Sequence, residues 1–286
     1  MMRFTRVLLM TVLLQLSTIS ARGDEAVPAD FRLSWEKNML TVTGKNLPGG
    51  KVPIWYLEAY CRPGSTDREW GKTVIGHTTQ LISATPDGRV IRLRCTLNDG
   101  VTVEHTIRAV EDGVAFELTA HNPTAEESQA HWAQPCVRVD AFTGADQKSY
   151  LARSFVFLNG RLERMPTPGW STTARYTPGQ TWAAPGVDRH DVNPRPLNDL
   201  VPTSGLIGCF SKDDSAILAT AWEPYQELFQ GVIVCLHSDF RIGGLKPDET
   251  KTIRGRLYLI PNDLDLLQRV YRRDFPKQQS TSSETP

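Results

Sequence analysis

Apolar and polar residues alternate along most of this chain, with the two-residue period of strands that bury one face. Phe31, Leu33 and Trp35 alternate before Lys37-Asn38, and Leu40 and Val42 after it, which predicts a hairpin over 31–44. A link punctuated by Leu47, Pro48, Gly49 and Gly50 leads to IWYLEAYCRPGSTDREW, which gathers Trp55, Tyr56 and Tyr60 ahead of an irregular loop. Residues 73–83 then read as strand, with His77 in the middle. Ile91, Leu93, Cys95 and Leu97 share a face before the Asn98-Asp99-Gly100 turn, and Val101, Val103, His105 and Ile107 share one after it. Val114, Phe116, Leu118 and Ala120 continue the meander until Asn122-Pro123-Thr124 stops it. Asn159-Gly160 marks a tight hairpin between SFVFL and RLERM.

Further strands are expected at 216–222, 232–236 and 252–260, the last two separated by the turn Lys246-Pro247-Asp248-Glu249. A helix fits 264–273, capped by Asn262 or Asp263, with Leu264, Leu267, Val270 and Tyr271 on one stripe. The polar tail after Pro276 is expected to be disordered. A dozen or so strands with one short C-terminal helix predict an all-β fold, two large antiparallel sheets stacked face to face in a single domain over 24–275.

Residues 166–205 break the pattern. They hold Trp170, Tyr176 and Trp182 and the charged group Asp188, Arg189, His190, Asp191 and Arg195, without periodicity. A loop of about 40 residues inside a domain is uncommon and is usually functional or disordered; its aromatic content argues for order. The three aromatics either stack on sugar rings, with Arg175, Arg189 and Arg195 meeting acidic groups, or pin the loop to the sandwich edge.

Charge removes one class of partner. With 32 basic and 32 acidic residues the net charge is zero, so the basic footprint of a nucleic-acid binder is missing. Arg3 and Arg6, an apolar run from Val7 to Leu16, and small residues Ser20, Ala21 and Gly23 before Asp24 predict a signal peptide over 1–23. That run is well short of the roughly 20 residues a spanning helix needs. The expected product is periplasmic or extracellular, without stable membrane insertion. Five cysteines, an odd number with no CxxC spacing, read as small buried hydrophobes or, in an oxidising compartment, as possible bridges.

Candidate chemistry concentrates in 222–244, WEPYQELFQGVIVCLHSDFRIGG. As a strand, Val232, Val234 and Leu236 face one way and Ile233, Cys235, His237 and Asp239 the other, so one face turns from apolar to ionisable. His237 and Asp239 lie about 7 Å apart on that face and read as acid and base, as two metal ligands, or as a rim histidine beside a turn cap. Glu223 opposite Asp239 would make the carboxylate pair of glycoside hydrolysis. Tyr225 beside His237 would instead suit β-elimination from a uronate. Trp222 opens the group and Glu227 belongs to it; the alternative for all of them is a solvated turn. His105 is either a catalytic group on a concave face or a satisfied core histidine, and Arg138 a clamp for a sugar carboxylate or sulfate or an interior ion pair. His190 and Asp191 form a second possible ligand pair. No cofactor motif stands out, and a divalent metal stays open.

Two segments carry a resemblance. VAFELTAHNPT resembles a strand of the β-supersandwich domain of galactose mutarotases and several polysaccharide lyases, and LKPDETKTIRGRLYLI is similar to the turn before that domain's closing strand. The strings HWAQPCVRVDAFTG and WEPYQELFQGVIVCLHSDFRIGG resemble those of a family of exported proteins common in planctomycete-type bacteria. The supersandwich resemblance implies a concave sheet face that binds sugar, with His and a carboxylate as acid and base; the Asn-His-x-Tyr-Phe-Asn string of mutarotases has no counterpart here. The expected function is an exported carbohydrate-active protein that binds, and cleaves or epimerises, a polysaccharide or oligosaccharide in a sandwich cleft. The alternatives are a non-catalytic glycan-binding module and an envelope protein-interaction domain.

Overall fold

A strand that is buried on one face announces itself by alternation, and a strand buried on both does not. Both kinds occur in the computed structural model, which describes residues 31–66, 68–172, 179–193, 196–231 and 233–279. The strands are β1 (Arg32–Glu36), β2 (Met39–Thr43), β3 (Lys51–Cys61), β4 (Val74–Ile75), β5 (His77–Ala84), β6 (Val90–Leu97), β7 (Thr102–Val110), β8 (Gly113–His121) and β9 (Trp132–Arg138). They continue with β10 (Ser154–Leu158), β11 (Arg161–Arg164), β12 (Thr181–Ala183), β13 (Pro202–Phe210), β14 (Ala216–Glu223), β15 (Tyr225–Gln230), β16 (Cys235–Arg241) and β17 (Thr250–Pro261).

The strands form two antiparallel sheets packed as a sandwich. The eight-stranded sheet runs β1, β2, β3, β9, β16, β15, β12, with β4 added to β3; the nine-stranded sheet runs β11, β10, β13, β14, β17, β8, β7, β6, β5. This is the two-sheet, all-β architecture expected. The predicted turns are made: Lys37 and Asn38 have φ of 48° and 61°, and Asn159 and Gly160 φ of 50° and 73°, the left-handed pairs that two-residue hairpins require.

One apolar layer fills the space between the sheets. Ile91, Leu93, Cys95, Val103, Ile107, Phe116 and Leu118 from one sheet meet Val52, Ile54, Tyr56, Tyr60, Leu236 and Phe240 from the other. A second cluster covers the outer face of the nine-stranded sheet, where Leu267, Val270 and Tyr271 of the helix Leu264–Asp274 pack on Phe155, Phe210, Ile217 and Tyr258. Asp263 caps that helix by accepting from the Leu266 N–H at 2.9 Å, and Arg272 and Arg273 in its last turn suit the negative end of the dipole. Among the described residues no helix is long and apolar enough to cross a membrane.

Three expectations about the strands need correcting. The described residues of 166–205 are largely irregular, as expected, but they include β12, which edges the eight-stranded sheet, and at 202–205 the start of β13, which lies inside the nine-stranded sheet between β10 and β14. β13 is buried on both faces from Gly205 to Phe210, so it shows no alternation. Tyr225–Gln230, expected as a cluster ahead of a strand, is itself a strand, also buried on both faces. The strand expected at 232–236 begins only at Cys235; Ile233 and Val234 lie in the turn before it, and Val232 lies outside the described residues. Residues 1–30, which include the expected signal peptide, and residues 280–286 also lie outside them. Pro276–Gln279, expected in the disordered tail, form a 3-10 turn, from which the Gln278 side chain donates to the Trp222 carbonyl at 2.7 Å.

His105, a catalytic candidate in the sequence, is a core residue. It is buried between the sheets with Nδ1 2.9 Å from the Tyr56 hydroxyl and Nε2 3.2 Å from the Tyr60 hydroxyl, so neither nitrogen is left for a substrate. Burial, with a smaller contribution from His77, lowers its pKa from 6.5 to about 3. The unfolded chain therefore binds a proton at His105 that the folded chain refuses, and stability falls as pH drops below about 6.5, by roughly 1.4 kcal/mol per pH unit until about pH 3. Urea unfolding of wild type and His105→Gln at pH 7 and pH 4.5 should show the variant gaining on wild type at the lower pH; parallel losses would contradict this.

Candidate functional site

The hairpin of β15 and β16 decides where the ionisable groups go. Tyr225 pairs with Phe240, Glu227 with Asp239, Leu228 with Ser238 and Phe229 with His237. Two residues are used on β15 where β16 uses one, so Gln226 is an extra, bulged residue. The bulge reverses the order of faces. Tyr225, Leu228, Leu236 and Phe240 face the other sheet, with Phe240 4.8 Å from the Trp222 ring. Gln226, Glu227, Asp239 and Arg241 face away from it.

That outward face is not open. Residues 62–66 and 188–193 cover it: the Ser65 hydroxyl donates to the Val192 carbonyl at 2.7 Å, and the Thr66 N–H to the His190 carbonyl at 3.1 Å. The Asn193 N–H bridges both Glu227 oxygens at 3.0 and 2.8 Å. Asp191 receives His131 Nδ1 at 3.2 Å and Arg241 Nη1 at 3.3 Å, and Arg241 also donates to Gln226 at 2.5 Å.

Three buried carboxylates, Asp191, Glu227 and Asp239, thus share a space in which Arg241 is paired to one of them. Asp239 is enclosed, with no hydrogen-bond partner on either oxygen among the described residues, and Oδ1 lies 3.5 Å from His237 Nδ1. Burial drives its pKa up to about 7, only partly offset by His237. Burial and then Asp239 also raise Glu227, against the Asn193 N–H, which stabilises the carboxylate. Burial opposes a charged His237, but Cys136 and Asp239 outweigh it and hold the imidazole above its ordinary value. Cys136, Cys235 and His237 bring three donor atoms within 4.8 Å of one another.

The other side of the same hairpin opens on a cleft of about 1050 Å³. It lies where the chain passes from β14 to β15 through Glu223-Pro224, and Tyr225, Glu223, Arg254, Thr203, Ser204 and Lys277 line it. Cross-strand register sets Arg254 of β17 opposite Glu223 of β14, and the two form an ion pair through Glu223 Oε2. Glu223 Oε1 has no hydrogen-bond partner among the described residues. Tyr225, nearly buried, supplies an aromatic wall backed by Gly205. Gly205 donates its N–H to the Tyr271 hydroxyl at 2.9 Å, which ties the cleft to the C-terminal helix.

The residues expected to act together are therefore divided. Glu223 and Tyr225 belong to the cleft; His237 and Asp239 lie across the hairpin backbone from it, so neither a Glu223 and Asp239 pair nor a Tyr225 and His237 pair faces a common space. Trp222 is a core residue between Phe116 and Phe240. Trp182 is buried with Trp170 against it at 6.2 Å, so both pin the segment, and Trp182 cannot stack on a sugar. Arg189 pairs with Asp199 at 2.9 Å, and the exposed His190 holds the covering segment through its carbonyl. Arg138 is half-buried opposite Cys235. Arg175, Tyr176 and Arg195 lie outside the described residues.

Among the participants not singled out by sequence are Arg254 and Cys136. Arg254 had a signal, the alternation of Thr252, Arg254 and Arg256 against Ile253 and Leu257. Cys136 had none, because its proximity to His237 arises from the pairing of β9 with β16.

No protein-family model matches the chain, and no curated protein does. Solved structures with similar coordinates include Slr1438 from Synechocystis sp. PCC 6803, with TM-score 0.43 and 11% identity over 86% of this chain and 99% of that one. A putative aldose 1-epimerase from Escherichia coli K12 scores 0.42 at 11% identity over 80% and 98%. A galactose mutarotase-like protein from Lactobacillus casei ATCC 334 scores 0.40 at 9% identity over 80% and 99%. Likenesses at this level assign no activity to the chain.

The bridge from Asn193 to Glu227 makes a prediction about the cover. Glu227→Ala leaves a buried N–H unpaired and should destabilise by about 1–3 kcal/mol, with faster limited proteolysis in 188–193. Glu227→Gln keeps an acceptor while removing the repulsion from Asp239, and should match or exceed wild type. Equal stability of the Ala and Gln variants would show that the bridge does not hold the cover.

Proposed function

We propose that this chain is an exported carbohydrate-binding protein, and that its ligand is an acidic sugar chain seated in the cleft beside Tyr225. The observation that carries the reading is the cleft itself: an aromatic wall next to a guanidinium and carboxylate pair, in a volume of about 1050 Å³. Apolar walls with a few fixed polar groups are the usual make-up of small-ligand sites. A sugar offers its C–H face to an aromatic ring and its hydroxyls to a carboxylate. The charge balance favours an acidic sugar, since Arg254 and Lys277 line the cleft against the single carboxylate of Glu223. Arg254 uses Nη2 on Glu223, and a planar guanidinium has further donors for a uronate or sulfate.

Binding is favoured over catalysis because the lining offers one carboxylate where hydrolysis uses two, and because His237 faces away. Export rests on the basic and then apolar start of the sequence.

The envelope-interaction alternative is favoured by one observation of its own. Edge strand β5 exposes Leu81 and Ile82 side by side, at 48% and 49%, at the end of the nine-stranded sheet. Exposed apolar edge strands are surfaces for strand addition.

Proton NMR titration with neutral and uronate-containing oligosaccharides tests the binding reading. Wild type should broaden the uronate signals, and Arg254→Ala should lose about tenfold or more in affinity for them, the weight of one charge-assisted hydrogen bond. Arg92→Ala, on the exposed face of β6, should behave as wild type. Undiminished uronate affinity in Arg254→Ala would overturn the site, and new vinyl or reducing-end signals would make the protein an enzyme.

A further inference from the structure

Residues two apart on a strand share a face but stand about 7 Å apart. Cys235 and His237 nevertheless converge, with Sγ 3.4 Å from Nε2. Cys136 reaches them from β9: the rung pairing Val137 with Leu236 sets it beside His237, and its sulfur lies within 4.8 Å of the donor atoms of both Cys235 and His237. All three are buried.

The spacing is that of a coordination shell. Metal–sulfur bonds of about 2.3 Å and metal–nitrogen bonds of about 2.0 Å at tetrahedral angles require sulfur and nitrogen roughly 3.5 Å apart. The observed 3.4 Å fits that requirement, and every donor pair falls within 4.8 Å. The surroundings are also those of a ligating histidine. Its second nitrogen, Nδ1, lies 3.5 Å from Asp239, a buried carboxylate with no hydrogen-bond partner among the described residues; metal-bound histidines characteristically direct their other N–H at a carboxylate. Phe229 stacks on the imidazole at 4.2 Å and 10°, fixing its plane. The backbone at Gly231 closes over the donors so tightly that a Cβ there would lie 1.9 Å from Cys235 Sγ and 3.2 Å from His237 Nε2.

We propose that Cys136, Cys235 and His237 form a zinc site, with Asp239 orienting His237 from behind. Two sulfurs and an imidazole select a borderline or soft cation over magnesium or calcium. Charge then selects zinc: two thiolates and a neutral imidazole bring Zn²⁺ to zero net charge in a buried space. Copper(I) would leave a negative charge uncompensated beside Asp239 and Glu227. Three protein ligands leave the fourth position to a water or a small external ligand.

The test uses the full chain, purified under reducing conditions, with elemental analysis followed by Zn²⁺ and Co²⁺ titration. One equivalent of zinc, and a cobalt adduct with a thiolate charge-transfer band, are expected. Cys136→Ser and His237→Gln should abolish that band, and Cys209→Ser, a buried cysteine elsewhere in the core, should keep it. Asp239→Asn should weaken zinc binding about ten- to hundredfold while keeping the stoichiometry. The cobalt spectrum of wild type stands even if a ligand variant fails to fold. A reduced, folded wild type that takes up neither ion would overturn the proposal, as would a preference for copper(I) or an unchanged band in Cys136→Ser. A Cys136 to Cys235 disulfide whose reduction restores no zinc uptake would overturn it too.

Discussion

The pleat of one hairpin governs this molecule. A strand side chain can point only toward the other sheet or away from it, and the single extra residue at Gln226 fixes which groups of β15 and β16 do which. Without the bulge, Tyr225 and Glu227 would share a face, and either the aromatic would leave the sandwich or the carboxylate would enter its apolar layer. With it, Tyr225 and Phe240 join the core while Glu227 and Asp239 meet on the far side. The cleft, the covered acidic cluster and the thiol and imidazole group all descend from that register.

Burying three carboxylates together is unfavourable, and the structure offsets it locally. Arg241 and His131 meet Asp191, the Asn193 N–H meets Glu227, and Asp239 is left facing His237 with its pKa raised by burial. Such an arrangement depends on its cover, because exposing it would let water in and remove the reason for the raised carboxylate pKa values. The cleft is differently made. Its ion pair of Glu223 and Arg254 is partly solvated, so its charges can exchange water for a ligand at lower cost. That contrast is why ligand binding is proposed for the cleft and metal binding for the enclosed face.

The parts of the fold legible in the sequence are those with one wet face. β6, β7 and β8 alternate visibly because their outer residues, such as Arg92, Arg94, Glu117 and Thr119, reach solvent. β13 and β15 are covered on both sides, so periodicity had nothing to report. The helix was legible from Asp263 and its stripe. The site was legible only by composition: 222–244 does hold Glu223, Tyr225, His237 and Asp239, but their division between two faces follows from a bulge that no local pattern marks. His105 illustrates the same limit, since a histidine on an apolar strand face looks alike whether Tyr56 and Tyr60 satisfy it or a substrate does. Pairings between distant strands, Glu223 with Arg254 and Cys136 with His237, required the topology itself.

The two faces of the β15 and β16 hairpin are separate environments. Amide and imidazole NMR shift mapping with a uronate oligosaccharide, followed by zinc, examines that separation most directly. The sugar should move resonances of Ser204, Tyr225 and Arg254 and leave the His237 imidazole in place, and zinc should do the reverse. An oligosaccharide that shifts His237 together with Tyr225 would mean that one site spans both faces, and would contradict the account.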